Sequence, residues 1–410
     1  MLTVRYFNGN SFTRIKLSLG GSRFIELPDN IIAIPAFVDL HVHLRDWGED
    51  YKEDLNTGSR AALAGGVTAV GDMPNTKPPI RSPELALKRL KAAEGLKITY
   101  RLHGGVPTDL NLMSGYVSIG VRSVKVYPED YGLLDGVVKA AAANNMTVVI
   151  HCEDPSMFRS VKGVDSRVHG VNRPIDAEFS CALRAVQLAL IHGARVHLTH
   201  VTDPRVVDLA RLSGRVTVDV TMHHLLLDDE SCVELVNDPF YCKVNPPLRD
   251  RSTRLELLKR FINGSVDMVA SDHAPHSISE KFGRDYENTA PGFPGLETTG
   301  LLLLDLWRRG LIDLTRVIEA YSINPGRMLS VGGESYLLVD VKSSTVIEPN
   351  LFMSKAKHSP FADWVTMVRL VGLVKGGELL MVDSDYENML GGFISEGTVI
   401  KRSKAASPLA

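Results

Sequence analysis

PAFVDLHVH, residues 35–43, runs from a proline through apolar side chains into two histidines, His41 and His43, that flank a single valine. Side chains alternate across a strand, so residues two apart face the same way and both imidazoles can reach one metal ion. Alone, the pair says little. Its weight comes from His151, His200 and Asp272, each of which closes a later apolar run of the same kind. Ligands collected at strand ends suit a hydrolytic metal centre.

Working outward, the chain repeats this pattern. The apolar runs are PAFVDLHV (35–42), GVTAVGDM (66–73), ITYRLHGGV (98–106), VRSVKVY (121–127), MTVVIH (146–151), RVHLTHV (195–201), RVTVDVTM (215–222) and VDMVASD (266–272). Amphipathic or alanine-rich stretches separate them, as in β/α units around a parallel sheet. Eight such units predict an α/β fold, a (β/α)8 TIM-type barrel over residues 35–332. An open doubly wound sheet is disfavoured because no glycine-rich phosphate loop follows the first run. Helices are expected at 82–95, with Ser82 as cap and Gly95 as stop, and at 174–193, with Pro174 in the first turn and Gly193 at the end. The flanks, 1–34 and 333–410, hold short β-rich runs such as TVRYF, YLLVDV, ELLMVD and TVIKR, and predict a small β domain built from both chain ends, followed by a tail.

Composition narrows the function. With 46 basic against 48 acidic residues in 410, nothing argues for nucleic acid or an anionic membrane as partner, and a small-molecule substrate is expected. The four cysteines, Cys152, Cys181, Cys232 and Cys242, form no CxxC pair, so neither a zinc knuckle nor a disulfide framework is expected, only reduced thiols. The N-terminus lacks a signal-peptide core and no run approaches the length of a membrane span, so the chain is expected to be soluble and cytoplasmic.

Lys125, inside the fourth run, would point toward cations. It makes sense there if CO2 has carbamylated its amine, creating an anion that can bridge two metals. Asp130 is the rival bridge. His197, an odd number of residues from His200, faces the other side of its strand, and His192 sits near a helix end, so both are read as structural. Either His223 or His224 could support the site. His103 stays open.

Six motifs in order, HVHLRDWGEDYKED (41–54), GDMPNT (71–76), HCED (151–154), KVNPPLR (243–249), SDHAPH (271–276) and PGFPGLET (291–298), show that the chain resembles the dihydroorotases of the amidohydrolase superfamily over nearly its whole length. Those enzymes interconvert L-dihydroorotate and N-carbamoyl-L-aspartate in pyrimidine biosynthesis. The resemblance implies two zinc ions: His41 and His43 on the more buried, His151 and His200 on the more exposed, carbamylated Lys125 between them, and Asp272 touching the first. Some relatives use an aspartate bridge instead. The resemblance makes Arg45, with Asn75 and His276, a clamp on the substrate carboxylate, and assigns Asn245, Pro291 and Gly292 to the pyrimidine ring, with Arg249 less certain. Residues 277–289 are either a mobile cover or a solvated loop. A homodimer and a complex with aspartate transcarbamoylase are left open as assemblies.

In the implied chemistry Asp272 takes a proton from the attacking water and delivers it to the departing ring nitrogen. Hydantoinases, dihydropyrimidinases and allantoinases share the ligand pattern, but their substrates mostly lack the carboxylate that Arg45, Asn75 and His276 would hold. A catalytically silent partner of aspartate transcarbamoylase would typically have lost ligands that this chain keeps.

Overall fold

Each of the eight apolar runs forms a strand in the computed structural model, which describes residues 1–20 and 23–405. In chain order the strands are Phe37–Val42, Val67–Asp72, Thr99–Leu102, Ser123–Val126, Thr147–His151, Arg195–Thr199, Val216–Val220 and Met268–Val269. Neighbours pair in parallel throughout. The third strand is interrupted at His103: Thr99–Leu102 pairs backwards with the second strand, and Gly104–Gly105 pairs forwards with the fourth. The ring closes where Val42 bridges His273 and the His43 N–H donates to the His273 carbonyl at 2.9 Å. This is the expected (β/α)8 barrel. The first two strands are buried from end to end, because helices cover the outside while side chains fill the inside.

His103 belongs to that filling. It is fully buried, with Nδ1 2.6 Å from Ser123 Oγ and Nε2 donating to the Leu40 carbonyl at 2.9 Å, so its role is to knit the first, third and fourth strands. The expected helices are present as Pro83–Ala92, where Ser82 Oγ accepts the Leu85 N–H, and Ile175–His192. Gly95 and Gly193 both adopt positive φ at the helix ends. Pro174 lies one residue outside its helix, at the cap position rather than in the first turn.

Strands from both chain ends build one eight-stranded sheet. Ile31–Pro35 pairs antiparallel with Ser335–Asp340, with Ala33 opposite Leu338, and this seam joins the N-terminal strands to the C-terminal ones. Leu2, Val4, Ile31, Ala33, Leu338 and Val371 form its core. The apolar run from Ile31 to Val38 therefore serves two structures, passing from this sheet into the barrel at Ala36. Residues 406–410 of the expected tail lie outside the described residues. No helix among the described residues is long and apolar enough to cross a membrane.

The cysteines correct an expectation. Cys152 is disulfide-bonded to Cys181, and Cys232 to Cys242, so no thiol among the described residues is free. Cys152 follows the last residue of the fifth strand and Cys181 lies on the next helix, 29 residues on. A strand end meeting a helix face brings the sulfurs together, and sequence spacing carries no mark of it.

Candidate metal centre

The C-terminal ends of the strands deliver the ligands to one place. His41 lies in the first strand and His43 just past it, Lys125 in the fourth, His151 at the end of the fifth, His200 just past the sixth, and Asp272 just past the eighth. His200 and Asp272 both have φ of +44°, a left-handed turn that aims each side chain inward as its strand ends. Buried carboxylates hold these turns. Asp219 Oδ1 accepts the His200 N–H at 2.7 Å, and Asp39 Oδ1 accepts the N–H groups of His41 and Ser271, each at 3.2 Å. Asp72 Oδ1 likewise accepts the Leu44 N–H at 2.9 Å, beside the histidine pair.

Among the described residues, His41, His43 and Asp272 offer ligand atoms that all lie within 4.8 Å of one another. Asp272 Oδ1 is 3.2 Å from His41 Nε2 and 3.1 Å from His43 Nε2. On the far side of each ring, His41 Nδ1 is 2.6 Å from Thr199 Oγ1, and His43 Nδ1 donates to Asn75 Oδ1 at 2.7 Å. With Nδ1 donating to Asn75, His43 faces the Asp272 carboxylate through Nε2, a contact made favourable either by a proton on Nε2 or by a cation held between the two. The rings of His151 and His200 continue the cluster, 4.5 Å apart between centroids, with His41 5.2 Å from His200.

The electrostatics suit a metal. Burial, followed by the nearby Lys125, pushes the His41 imidazole well below its ordinary pKa, and burial with His151 does the same to His200, so both rings are neutral and available as ligands. Burial alone would raise the Asp272 carboxyl, but the His43 hydrogen bond and the surrounding cationic groups bring it to about 2. Lys125 is fully buried, its Nζ has no hydrogen-bond partner, and desolvation lowers the amine to about 7. A neutral amine is the form that reacts with CO2. His200 Nδ1 is also buried without a partner. Orphaned nitrogens of this kind fit a divalent-ion site and a modified lysine. Asp130, the rival bridge, is turned away from the cluster and pairs with Arg81 at 2.9 Å.

Twelve of the residues singled out as ligands or substrate contacts line one cavity of about 720 Å³ at this mouth, His41, His43, Arg45, Asn75, Lys125, His151, His200, Asn245, Asp272, His276, Pro291 and Gly292, whereas Asp130 and Arg249 do not. Arg45 is buried with φ of +47°. Its Nε donates to the Pro275 carbonyl at 3.3 Å, and its Nη1 is 3.7 Å from Glu49. His276 Nε2, 3.3 Å from Arg45 Nη2, donates to the Pro291 carbonyl at 3.1 Å. The Gly292 N–H donates to the Lys243 carbonyl, and a side chain at Gly292 would strike Ala274 Cβ at 2.6 Å. The backbone at 291–292 thus faces the cavity with its hydrogen bonds largely used.

Several residues enter that the motifs did not single out. Glu153, two positions beyond His151 and so on the same side, accepts from His151 Nε2 at 2.6 Å and pairs with Arg173, which also lines the cavity. That alternation was the available signal for Glu153. Nothing in the sequence marks Arg173 or His169. His169 Nε2 donates to Asn245 Oδ1 at 2.7 Å, and its Nδ1 is 2.6 Å from the Tyr286 hydroxyl, which ties the 277–289 segment to the ring-binding position. The buried Lys281 donates to the carbonyls of Lys243 and Ala290, each at 3.0 Å, so this segment is anchored as well as solvated.

Other candidates lie outside the cavity lining. His224 spends both nitrogens, on Thr221 Oγ1 at 2.8 Å and the Pro246 carbonyl at 3.0 Å, while His223 packs on Phe293 with a buried, unpartnered Nε2. Neither lines the cavity. His197 pairs with Asp219 at 2.7 Å and His192 with Asp135 at 2.8 Å. Arg249 braces loops by donating to Thr202 Oγ1 and the Arg173 carbonyl.

Comparison with known proteins gives the family and the fold. Residues 32–334 match the profile of the amidohydrolase family. A dihydroorotase of Pyrobaculum aerophilum is 38% identical over 389 residues, covering 93% of this chain and 96% of its own. One from Aeropyrum pernix is 39% identical, covering 73% of this chain and 71% of its own. Among solved structures, the L-hydantoinase of Arthrobacter aurescens superposes with a TM-score of 0.84 at 23% identity, over 92% of this chain and 95% of that one, a likeness of fold.

Proposed function

The chain belongs to the amidohydrolase family, among the dihydroorotases, and from that premise we propose that it hydrolyses L-dihydroorotate reversibly to N-carbamoyl-L-aspartate at the cavity around Asp272. The observation that carries this reading is the Arg45 guanidinium, buried in the same cavity as the histidine–aspartate cluster. A cyclic amide with a ring carboxylate needs such a cation. Hydantoin and allantoin offer it no carboxylate.

His41, His43, His151, His200, Asp272 and carbamylated Lys125 are proposed to hold two zinc ions. Ions bound there would supply Lewis acidity toward the ring carbonyl and lower the pKa of a nearby water. The chain's own side chains do the rest. Arg45 engages the substrate carboxylate through paired N–H donors, which fixes orientation as well as charge. Asn75 holds the His43 tautomer with its oxygen and keeps its amide N–H groups for the substrate. Asp272 accepts the proton of the attacking water and passes it to the leaving ring nitrogen, and ring closure runs through the same group in reverse. Asn245, held by His169, faces the ring.

The test combines metal analysis with turnover of dihydroorotate, hydantoin and allantoin, with and without bicarbonate. Two zinc ions per chain and strong preference for dihydroorotate are expected. Preference for hydantoin or allantoin would overturn the substrate assignment.

A further inference from the structure

The opposite end of the barrel holds a second cavity, of about 980 Å³, at the starts of the fourth to eighth strands. Along the sixth strand, from Arg195 to His200, it lies about 17 Å from the metal cluster. Five exposed arginines line it: Arg122 ahead of the fourth strand, Arg195 opening the sixth, Arg211 and Arg215 flanking the turn into the seventh, and Arg327 in the helix Asn324–Met328. Asp267 is the single acid in the lining, and its Oδ2 accepts the Val218 N–H.

None of the five arginines forms an ion pair among the described residues, whereas Arg81, Arg184, Arg205 and Arg260 elsewhere each pair with a carboxylate. Four of them cap helix ends instead. Arg122 donates to the Val117 carbonyl, Arg195 to Asn145, Arg211 to Gly264 and Arg215 to Gly193, at 3.2, 2.7, 3.2 and 3.5 Å. Arg327 reaches Asn324 Oδ1 at 3.4 Å. A guanidinium carries five N–H donors, so each keeps most of them unspent. In a chain whose net charge is only −2, this concentrates positive charge in one concave place, where the field is focused. Between the arginines, Val216 and Met268 supply an apolar floor.

The geometry points to a binding site for an oligophosphate anion, free or carried by a nucleoside, at the N-terminal face of the barrel. Guanidinium forks match phosphate oxygens in pairs, and the cavity has the size of a small-ligand site. The site stands apart from the proposed reaction and does not depend on it.

The test uses the full-length, zinc-loaded protein and calorimetric titration with inorganic triphosphate, a purine nucleoside triphosphate and a pyrimidine nucleoside triphosphate at about physiological salt. Saturable binding of one anion per chain is expected, weakening as salt rises. The double variant Arg215→Ala/Arg327→Ala removes the two arginines with the longest contacts to the protein, and should bind at least tenfold more weakly with unchanged turnover in the absence of anion. Arg215→Lys/Arg327→Lys should restore part of the affinity. Tighter binding of a nucleoside triphosphate than of inorganic triphosphate assigns the apolar floor to a base, and equal binding assigns the site to the phosphates alone. Absence of saturable binding, or equal affinity in wild type and the alanine variant, overturns the proposal and leaves the arginines as helix caps only.

Discussion

Asp272 Oδ1 stands 3.1 Å from His43 Nε2, which places the carboxylate after the eighth strand against an imidazole after the first, at the seam where the barrel closes. Its pKa of about 2 makes it a base at neutral pH. Asp272→Asn preserves shape while removing the proton acceptor. Turnover should fall about 10³-fold or more while substrate binding stays measurable by calorimetry. Near-normal kcat would exclude Asp272 from proton transfer.

Lys125 should act through its modified form. Desolvation brings the amine to about 7, so its neutral fraction rises from pH 6 to pH 8. Zinc reactivation of metal-stripped protein is therefore expected to require bicarbonate and to quicken over that interval. Lys125→Ala should lose both bicarbonate dependence and at least about a hundredfold of activity. Reactivation that ignores bicarbonate would leave the lysine unmodified.

Arg45→Lys keeps a cation and loses the fork. Hydrogen bonds to charged groups contribute about 1.5–3 kcal/mol each, so kcat/KM for dihydroorotate should drop about tenfold to a hundredfold, chiefly through KM. Zinc content should not change, since Arg45 touches no ligand among the described residues. A variant with unaltered KM would place the carboxylate elsewhere.

The two disulfides close loops of 29 and 10 residues. Restricting the unfolded chain to that degree contributes about 3–4 and about 2–3 kcal/mol. Thiol titration of the denatured protein should find none before reduction and four after, with a lower Tm once reduced. Four thiols without reductant would show the cysteines unpaired.

Stability should also carry a carboxyl signature. Burial raises Glu297 to about 7 even though its side chain accepts the Ser354 N–H, and burial raises Glu178 to about 7 as well. With folded values above unfolded ones, the native chain keeps these protons longer. That contribution is complete below about pH 4.5 and fades as pH climbs through about 7. Glu297→Gln should remove its share, about 3 kcal/mol, of the decline measured by denaturant unfolding across this range. An unchanged decline would assign it to other groups.

The eight strands were legible in the sequence because a parallel sheet buries both faces, which writes each strand as an unbroken apolar run. His41, His43, His151, His200 and Asp272 were legible because each closes such a run, and Arg45 only through the family resemblance, since the strand ends at Val42 and Arg45 takes a left-handed φ of +47°. Spacing could not exclude Asp130 as the bridge, since only its pairing with Arg81 turns it away.

Local order along the chain therefore determined the barrel and the identity of its strand-end groups. What lies across the barrel was decided by closure: Asn75 on His43, Tyr286 through His169 to Asn245, Cys152 on Cys181, and the arginines gathered at the opposite mouth. The physical reason is range. Alternation and capping act over a few residues, whereas these contacts join segments 29 or more residues apart, which meet only when whole strands and helices pack.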